Sequence, residues 1–358
     1  MAIKYKWLTE ILREWIHKNI SLGNVRLPSE MELCTKYKVS RQTVRLSLSI
    51  LEQEGLIEKR HGSGSYITGL SSDASANTIG ILISNKDEYF YPGLLDDITG
   101  SLKTYGYSCK IWETHNEIAR EREILLELIG KPLRAILVEG CKSALPNPNP
   151  TLYKKLQEMG TTVLFLNNYY PELSDILYIK DDNLSGSEQL IRHLANAGHT
   201  SIAGIFKIDD LQGTERYRGF LETLTQLGLP ISDGHVGWFS TRELNQLQAA
   251  QDTLFLKSFI KNSLSDCTAV VCHNDEIAYW LIRELQLSGY TLPGDMAVAS
   301  FDNTYLCTSG PLSITSLSHK LHETGQTAAS MIIDKLKGLP VLSREIPWFL
   351  VERESSDT

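Results

Sequence analysis

In the first seventy residues apolar positions recur with helical spacing. Leu8, Ile11, Leu12, Trp15 and Ile16 stand at i, i+3, i+4, i+7 and i+8, one face of an amphipathic helix. Ser29-Glu30-Met31-Glu32 is a capping box that opens a second helix, with Leu33 and Tyr37 turned inward and an end near Val39. Ser40 caps a third helix, whose inner stripe is Val44, Leu48 and Leu51 and whose stop is Gly55. Two helices joined by so short a turn predict a helix-turn-helix. Leu56-Ile57-Glu58-Lys59 and Ser65-Tyr66-Ile67-Thr68 read as short strands around Arg60-His61-Gly62-Ser63-Gly64, a hairpin wing.

The run Gly69-Leu-Ser-Ser-Asp-Ala-Ser-Ala-Asn77 has no period and reads as a linker. Beyond it apolar or β-rich runs alternate with helical stretches: residues 78–83, 109–112, 135–138, 162–166, 176–179, 202–206, 269–272 and 297–301. Strands separated by helices imply βαβ units and parallel sheets covered on both faces. Eight of them exceed one comfortable sheet, so the pattern predicts two lobes. The expected fold is α/β overall: a winged helix-turn-helix over residues 1–68, a linker over 69–77, and a body over 78–358 of two doubly wound parallel α/β lobes.

Composition narrows the class. With 358 residues, 42% hydrophobic and 22% charged, the chain has enough apolar surface for two or three packed domains, which excludes disorder as its main state. No apolar leader opens it and no stretch approaches a membrane span, so a cytoplasmic protein is expected. Six scattered cysteines form no CxxC pair, and read as reduced thiols. His319 and His322 make an HxxH that lacks a third ligand, so no metal site is expected. The net charge of −8 divides into +4 over residues 1–70 and −12 over the rest. That asymmetry points to a polyanion partner for the first part.

Arg41, Gln42 and Arg45 occupy the first turns of the third helix, opposite its apolar stripe. Arg there can grip guanine and Gln adenine. A solvated helix face is the plain alternative, but the capped helix pair, wing and basic side coincide in favour of duplex DNA. Leu27–Leu33, Val39–Arg45, Gly55–Ile57 and Gly62–Ile67 together resemble the GntR-type winged-helix domain of bacterial transcription regulators, with Ser47 where that family usually has Ala and Ser65-Tyr66 where it usually has Thr-Phe. The resemblance implies that Arg41, Gln42, Thr43 and Arg45 enter the major groove. It places Lys4, Glu30 and Ser40 at phosphates or the groove edge, and His61 and Gly62 in the minor groove; Gly62 and Gly64 also suit any tight hairpin.

The larger part is similar to the periplasmic-binding-protein-like effector domain of LacI/GalR-type regulators, on Thr78–Ile83, Asp181–Asn183, Leu194–Ile202, Glu215–Phe220, His273–Ala278 and Leu292–Asp302. A GntR-type head on such a body, with Val138–Leu145, Gly204–Gly213 and Cys272–Ala278, resembles the arabinose-repressor subgroup. That resemblance implies a homodimeric repressor that binds operator DNA and is released by a small sugar, L-arabinose or a related pentose. Polar residues cluster just after the expected strands, where open α/β sheets collect ligands: Tyr89, Tyr91, Glu139, Asn167, Lys207, Asp209, His273, Asn274, Asp275 and Asp302, with Arg216 opening a helix. Tyr89 and Tyr91 equally suit a core or an interface, and Asp182 and Asp275 are N-cap candidates. Carboxylates and amides outnumber cations in this set, which favours an uncharged sugar, and Asp275→Ala is expected to weaken binding without harming the fold. No phosphate loop, dinucleotide fingerprint, zinc motif or nucleophile elbow is present, so neither enzyme activity nor a cofactor is expected. The rivals are a doubly wound enzyme with an accessory winged helix, a plain sugar-binding protein, and a repressor that uses its sugar as corepressor.

Overall fold

A computed structural model describes residues 2–20, 26–53, 56–60, 64–67, 77–87 and 91–357. In the head, α1 (Ala2–Ile20), α2 (Glu30–Tyr37), α3 (Arg41–Gln53) and the antiparallel strands β1 (Ile57–Arg60) and β2 (Gly64–Ile67) share one core. Leu8, Leu12, Ile16, Leu33, Val44, Leu48, Leu51, Ile57 and Ile67 are buried in it. The expected capping box is formed. The Ser29 hydroxyl accepts the Glu32 N–H at 3.3 Å, and the Glu32 carboxylate accepts that of Ser29 at 2.7 Å. Lys38, at a φ of 51°, ends α2 in the left-handed conformation, and Ser40 Oγ accepts the Thr43 N–H to start α3. Buried Ser47 donates to the Tyr5 carbonyl at 3.0 Å, so the hydroxyl ties α3 to α1. The expected stop at Gly55, the wing tip with His61 and Gly62, and the linker apart from Asn77 lie outside the described residues.

The body begins with β3 (Thr78–Ile83), α4 (Tyr91–Thr104), β4 (Ser108–Glu113), α5 (Ile118–Gly130), β5 (Ala135–Val138), α6 (Pro150–Glu158), β6 (Thr162–Leu166) and β7 (Leu177–Asp181). A second lobe follows: α7 (Asn183–Asn196), β8 (Ile202–Lys207), α8 (Leu211–Leu227), β9 (Val236–Phe239), α9 (Thr241–Ala250), α10 (Leu254–Ser263), β10 (Ala269–Cys272), α11 (Asp275–Leu287), β11 (Ala297–Phe301), α12 (Leu306–Ser309) and β12 (Thr315–Ser318). Then α13 (Glu323–Leu336) returns to the first lobe and packs with α4, β13 (Arg344–Ile346) extends the first sheet, and β14 (Phe349–Val351) closes the second.

The spatial orders are β13-β7-β6-β5-β3-β4 and β14-β12-β11-β10-β8-β9, parallel throughout except for β14 against β12. In each lobe the first strand sits between the second and the third, so successive connections leave in opposite directions there. Those reversals, between β3 and β5 and between β8 and β10, open crevices at the carboxyl ends of the strands. Their strands are apolar runs because helices cover both faces; all six residues of β8 are buried. Among the described residues no helix is long and apolar enough to cross a membrane, and no cluster of His, Cys, Asp or Glu is placed to hold a metal ion.

Candidate functional site

The head presents a pair of cations on one support. Arg41 Nε and Arg45 Nε, on successive turns of α3, both donate to the Glu30 carboxylate, at 2.9 and 3.0 Å. The Arg41 bond leads in holding that carboxyl below the usual range, so Glu30 remains an anion bridging the two. Gln42 and Lys4 are exposed, and Ser40 and Thr43 bond each other through their hydroxyls at 2.9 Å. Arg41, Gln42, Thr43 and Arg45, the residues expected in the major groove, therefore stand together on the first turns of α3, with Ser40 just before it, Glu30 on α2 and Lys4 on α1.

In the body a cavity lies between the lobes at the two crevices. It holds about 650 Å³ with its mouth included, and its lining contains Tyr91, Glu139, Asn167, Lys207, Arg216, His273, Asn274 and Asp302, eight of the expected residues. Ser84, Asn116, Asp181, Asp210, Gln212 and Leu244 complete it. Tyr89 lies outside the described residues. Two expectations do not hold geometrically. Asp209 turns away to accept the Thr241 N–H at 3.0 Å, and its neighbour Asp210 faces the cleft instead. Asp275 is fully buried behind the cavity, where Ser300 and Ser316 donate to one carboxylate oxygen and the Thr304 N–H and hydroxyl to the other. The N-cap of α11 is Asn274, whose Oδ1 accepts the Ile277 N–H, while Asp182 caps α7 as its type suggests.

Arg216 is the hub. It is 2% exposed, donates through Nε to Asn183 Oδ1 at 2.9 Å and through a terminal nitrogen to the His273 carbonyl, and stands 3.5 and 3.6 Å from carboxylate oxygens of Asp302 and Asp181. Its guanidinium lies over the Phe301 ring at 4.1 Å, a stack that a lysine cannot make. It comes this close because α8 starts hard against the end of β8. A Cβ at Gly213 would meet the Lys207 carbonyl oxygen at 1.8 Å, so only glycine admits the approach. Asp302 holds its carboxylate in place from a left-handed backbone, with a φ of 96°, an uncommon conformation that collects at binding sites.

The remaining charges are also committed. Lys207 donates to Asp210, whose other oxygen accepts from Asn116 at 3.1 Å across the cleft. Asn116 also donates to Thr241 at 2.6 Å, and Leu211 N–H to the Ser143 hydroxyl at 2.9 Å, so direct bonds join the lobes along one rim. Burial raises the Glu139 carboxyl; the Tyr91 hydroxyl opposes this, the Asp210 charge adds to it, and the Ser84 N–H bond at 2.7 Å opposes it. Burial, then the Arg216 and Lys207 charges, keep His273 well below the usual imidazole range and therefore neutral. Asn167 Oδ1 and His273 Nδ1 are buried polar atoms with no hydrogen-bond partner among the described residues. Neutral hydroxyl donors and acceptors suit such atoms.

The profile of bacterial regulatory proteins of the gntR family matches residues 4–67, and that of the periplasmic binding protein-like domain matches residues 191–356. Over 339 residues the chain is 31% identical to an arabinose metabolism transcriptional repressor of Geobacillus stearothermophilus, covering 93% of this chain and 91% of that protein. A namesake from Halalkalibacterium halodurans is 29% identical over 339 residues, covering 93% and 89%. Among solved structures, a periplasmic binding protein/LacI transcriptional regulator from Alkaliphilus metalliredigens complexed with D-xylulofuranose aligns with a TM-score of 0.65 at 20% identity, over 79% of this chain and all of that one; this likeness shows the fold. With its gntR-type winged helix and its periplasmic-binding-protein-like body, the chain is a transcriptional repressor and belongs to the family of arabinose metabolism transcriptional repressors.

Proposed function

We propose that the protein acts as a homodimer: residues 1–68 grip operator half-sites, residues 69–77 link, and residues 78–358 bind L-arabinose or a related pentose that releases the DNA. The observation that carries the ligand class is the charge balance of the cleft. Each lining cation is already paired, Lys207 with Asp210 and Arg216 with Asp181 and Asp302, whereas buried polar atoms of Asn167 and His273 have no partner among the described residues. A phosphosugar needs uncommitted cations; a neutral polyol needs hydrogen-bonding groups around it. The direction of the response follows from what the relatives are named for, since a repressor of sugar use must let go when the sugar is present.

In the DNA contact, Glu30 holds the two guanidiniums of α3 at a fixed spacing, ready for base edges, with Gln42 and Thr43 beside them and Lys4 and Ser40 toward phosphates. The wing residues His61 and Gly62 complete the proposed contact. The double variant Arg41→Ala/Arg45→Ala is expected to lose at least about 2 kcal/mol of operator affinity and its base preference. Fluorescence anisotropy with matched and scrambled duplexes checks this, and unchanged preference would refute the reading of α3.

Closure of the two lobes around a sugar changes the placement of the two heads of a dimer, so that they no longer match both half-sites at once. Saturating L-arabinose is expected to weaken operator binding about tenfold to hundredfold, about 1.4 to 2.7 kcal/mol of coupling, and operator must weaken sugar binding by the same factor. Calorimetry of L-arabinose and of pentose phosphates, followed by operator titration with and without the sugar that binds, tests both statements. Tight binding of a pentose phosphate alone overturns the ligand class, and tighter DNA binding with sugar makes the ligand a corepressor.

A further inference from the structure

The chain passes between the lobes three times: at Asp182 after β7, at residues 319–322 between β12 and α13, and at Pro347-Trp348 between β13 and β14. One side chain touches all three passages. His319 sits on the second; its Nε2 lies 2.9 Å from Asp181 Oδ1, at the mouth of the first, and its Nδ1 lies 3.0 Å from the Pro347 carbonyl oxygen of the third. Its ring is stacked on Trp348, centroids 3.6 Å apart and planes 23° from parallel. Both ring nitrogens thus face acceptors, and a backbone carbonyl can only accept. Only the imidazolium carries N–H on both nitrogens. The second oxygen of Asp181 faces the Arg216 guanidinium at 3.6 Å, and both of these residues line the cleft.

We propose that His319 is a positioning residue of the sugar response: as an imidazolium it fastens the three passages together and fixes the Asp181–Arg216 pair against which the sugar binds. The inference rests on the reading of the cleft as the sugar site. The groups facing His319 agree with a cation. Burial by itself lowers its pKa, but the Asp181 bond and charge, the Pro347 carbonyl and the charge of Asp302 outweigh it, leaving the pKa above the usual value of 6.5. Asp181 in turn is raised by burial, yet held below its usual range by His319, Arg216 and Lys180. A neutral ring keeps one N–H, so it must let go either of Asp181 or of Pro347. Because the folded pKa is raised, the contribution of the clasp is full below about pH 6.5 and is lost as the pH rises through the folded value.

The test combines a proton titration with a binding profile on the full-length protein. The His319 ring, followed by NMR, is expected to titrate above the value for a free histidine. Affinity for L-arabinose, measured by calorimetry from about pH 5.5 to about pH 9, is expected to fall about tenfold in the wild type as that ring deprotonates. His319→Phe, which stacks but cannot donate, is expected to bind weakly with a flat profile. Should it not fold, His319→Gln serves, since it donates to only one of the two acceptors. His319→Arg, charged throughout and able to donate to both while lying on Trp348, is expected to restore affinity and remove the pH dependence. His322→Ala is expected to keep the wild-type profile, because His322 pairs instead with Asp97, at 2.7 Å on a half-exposed surface. A ring titrating at or below the free value, or the same pH profile in wild type and His319→Phe, overturns the proposal. If L-arabinose binds to none of these proteins, the ligand reading fails, and the clasp is decided by unfolding. A stability gap between wild type and the Phe variant that closes above the His319 midpoint supports it, whereas a constant gap overturns it.

Discussion

Arg216→Ala is expected to abolish calorimetrically detectable sugar binding and to destabilise the body by about 3 to 5 kcal/mol, the range for breaking a buried ion pair from one side. The side chain is 2% exposed, so water cannot replace what it supplies. Without it the carboxylates of Asp181 and Asp302 confront each other with less compensation, and the His273 carbonyl and Asn183 Oδ1 lose a donor. The planar group also fills the space over Phe301 and beside Trp348, which a methyl leaves empty. Arg216→Lys separates these roles. It restores a positive charge but not the fork or the stack, so it is expected to recover part of the stability and little of the binding. Denaturant unfolding and calorimetry of both variants check this. An Ala variant as stable as wild type would mean that Asp181 and Asp302 do not depend on the guanidinium.

The fold was legible wherever burial writes itself into composition. Eight strands of the body announce themselves as apolar or β-rich runs, most of them because helices cover both faces; the edge strand β4 is half exposed and shows only its β-rich residues. Four were not read, namely β9, β12, β13 and β14, and for the last three the reason is visible in their residues. β12 is Thr315-Ser-Leu-Ser318, buried along its length although three of its four residues carry hydroxyls, and the polar groups of Thr315 and Ser316 are satisfied by Ser355, Ser356, Arg353 and Asp275, partners distant in sequence. β13 and β14 are three residues each at sheet edges, too short to show a period.

The rule that ligands gather at the carboxyl ends of strands points to residues of which eight line one cavity, but it does not resolve single residues. Between Asp209 and Asp210 the choice depends on how the chain turns into α8, a turn set by the contact of Gly213 with the Lys207 carbonyl. Asn116 gave no signal because it stands in a loop of left-handed backbone after β4, and it gains its role only when Asp210 and Thr241 arrive from the other lobe. The same holds for His319. As one half of an HxxH it looked like a stray ligand, and its meaning comes from three segments that only the fold brings together.

Asp275→Ala is the other large effect, and its direction reverses the expectation drawn from residue type. A carboxylate after a strand suggests a sugar contact, so its loss would weaken binding and spare the fold. In the structure that carboxylate joins the start of α11 to β11 through Ser300, to the loop after β11 through both donors of Thr304, and to β12 through Ser316. Truncation removes every acceptor at once. The serine and threonine hydroxyls can rotate toward other partners, but the Thr304 N–H is fixed and left unpaired in a partly buried place, and the lost volume adds a cavity term. A loss of about 3 kcal/mol or more is expected, seen as a fall of roughly 6 to 12 °C in the unfolding midpoint. Asp275→Asn fills the same volume and can turn its oxygen to Thr304 and its amide to the two serines, so it is expected to cost only about 1 kcal/mol. Sugar affinity of the Asn variant, measured well below its unfolding midpoint, is expected to stay within about twofold of wild type, since no atom of Asp275 lines the cleft. An Ala variant with wild-type stability and lost affinity would return Asp275 to the binding site and refute its role as the joint behind it.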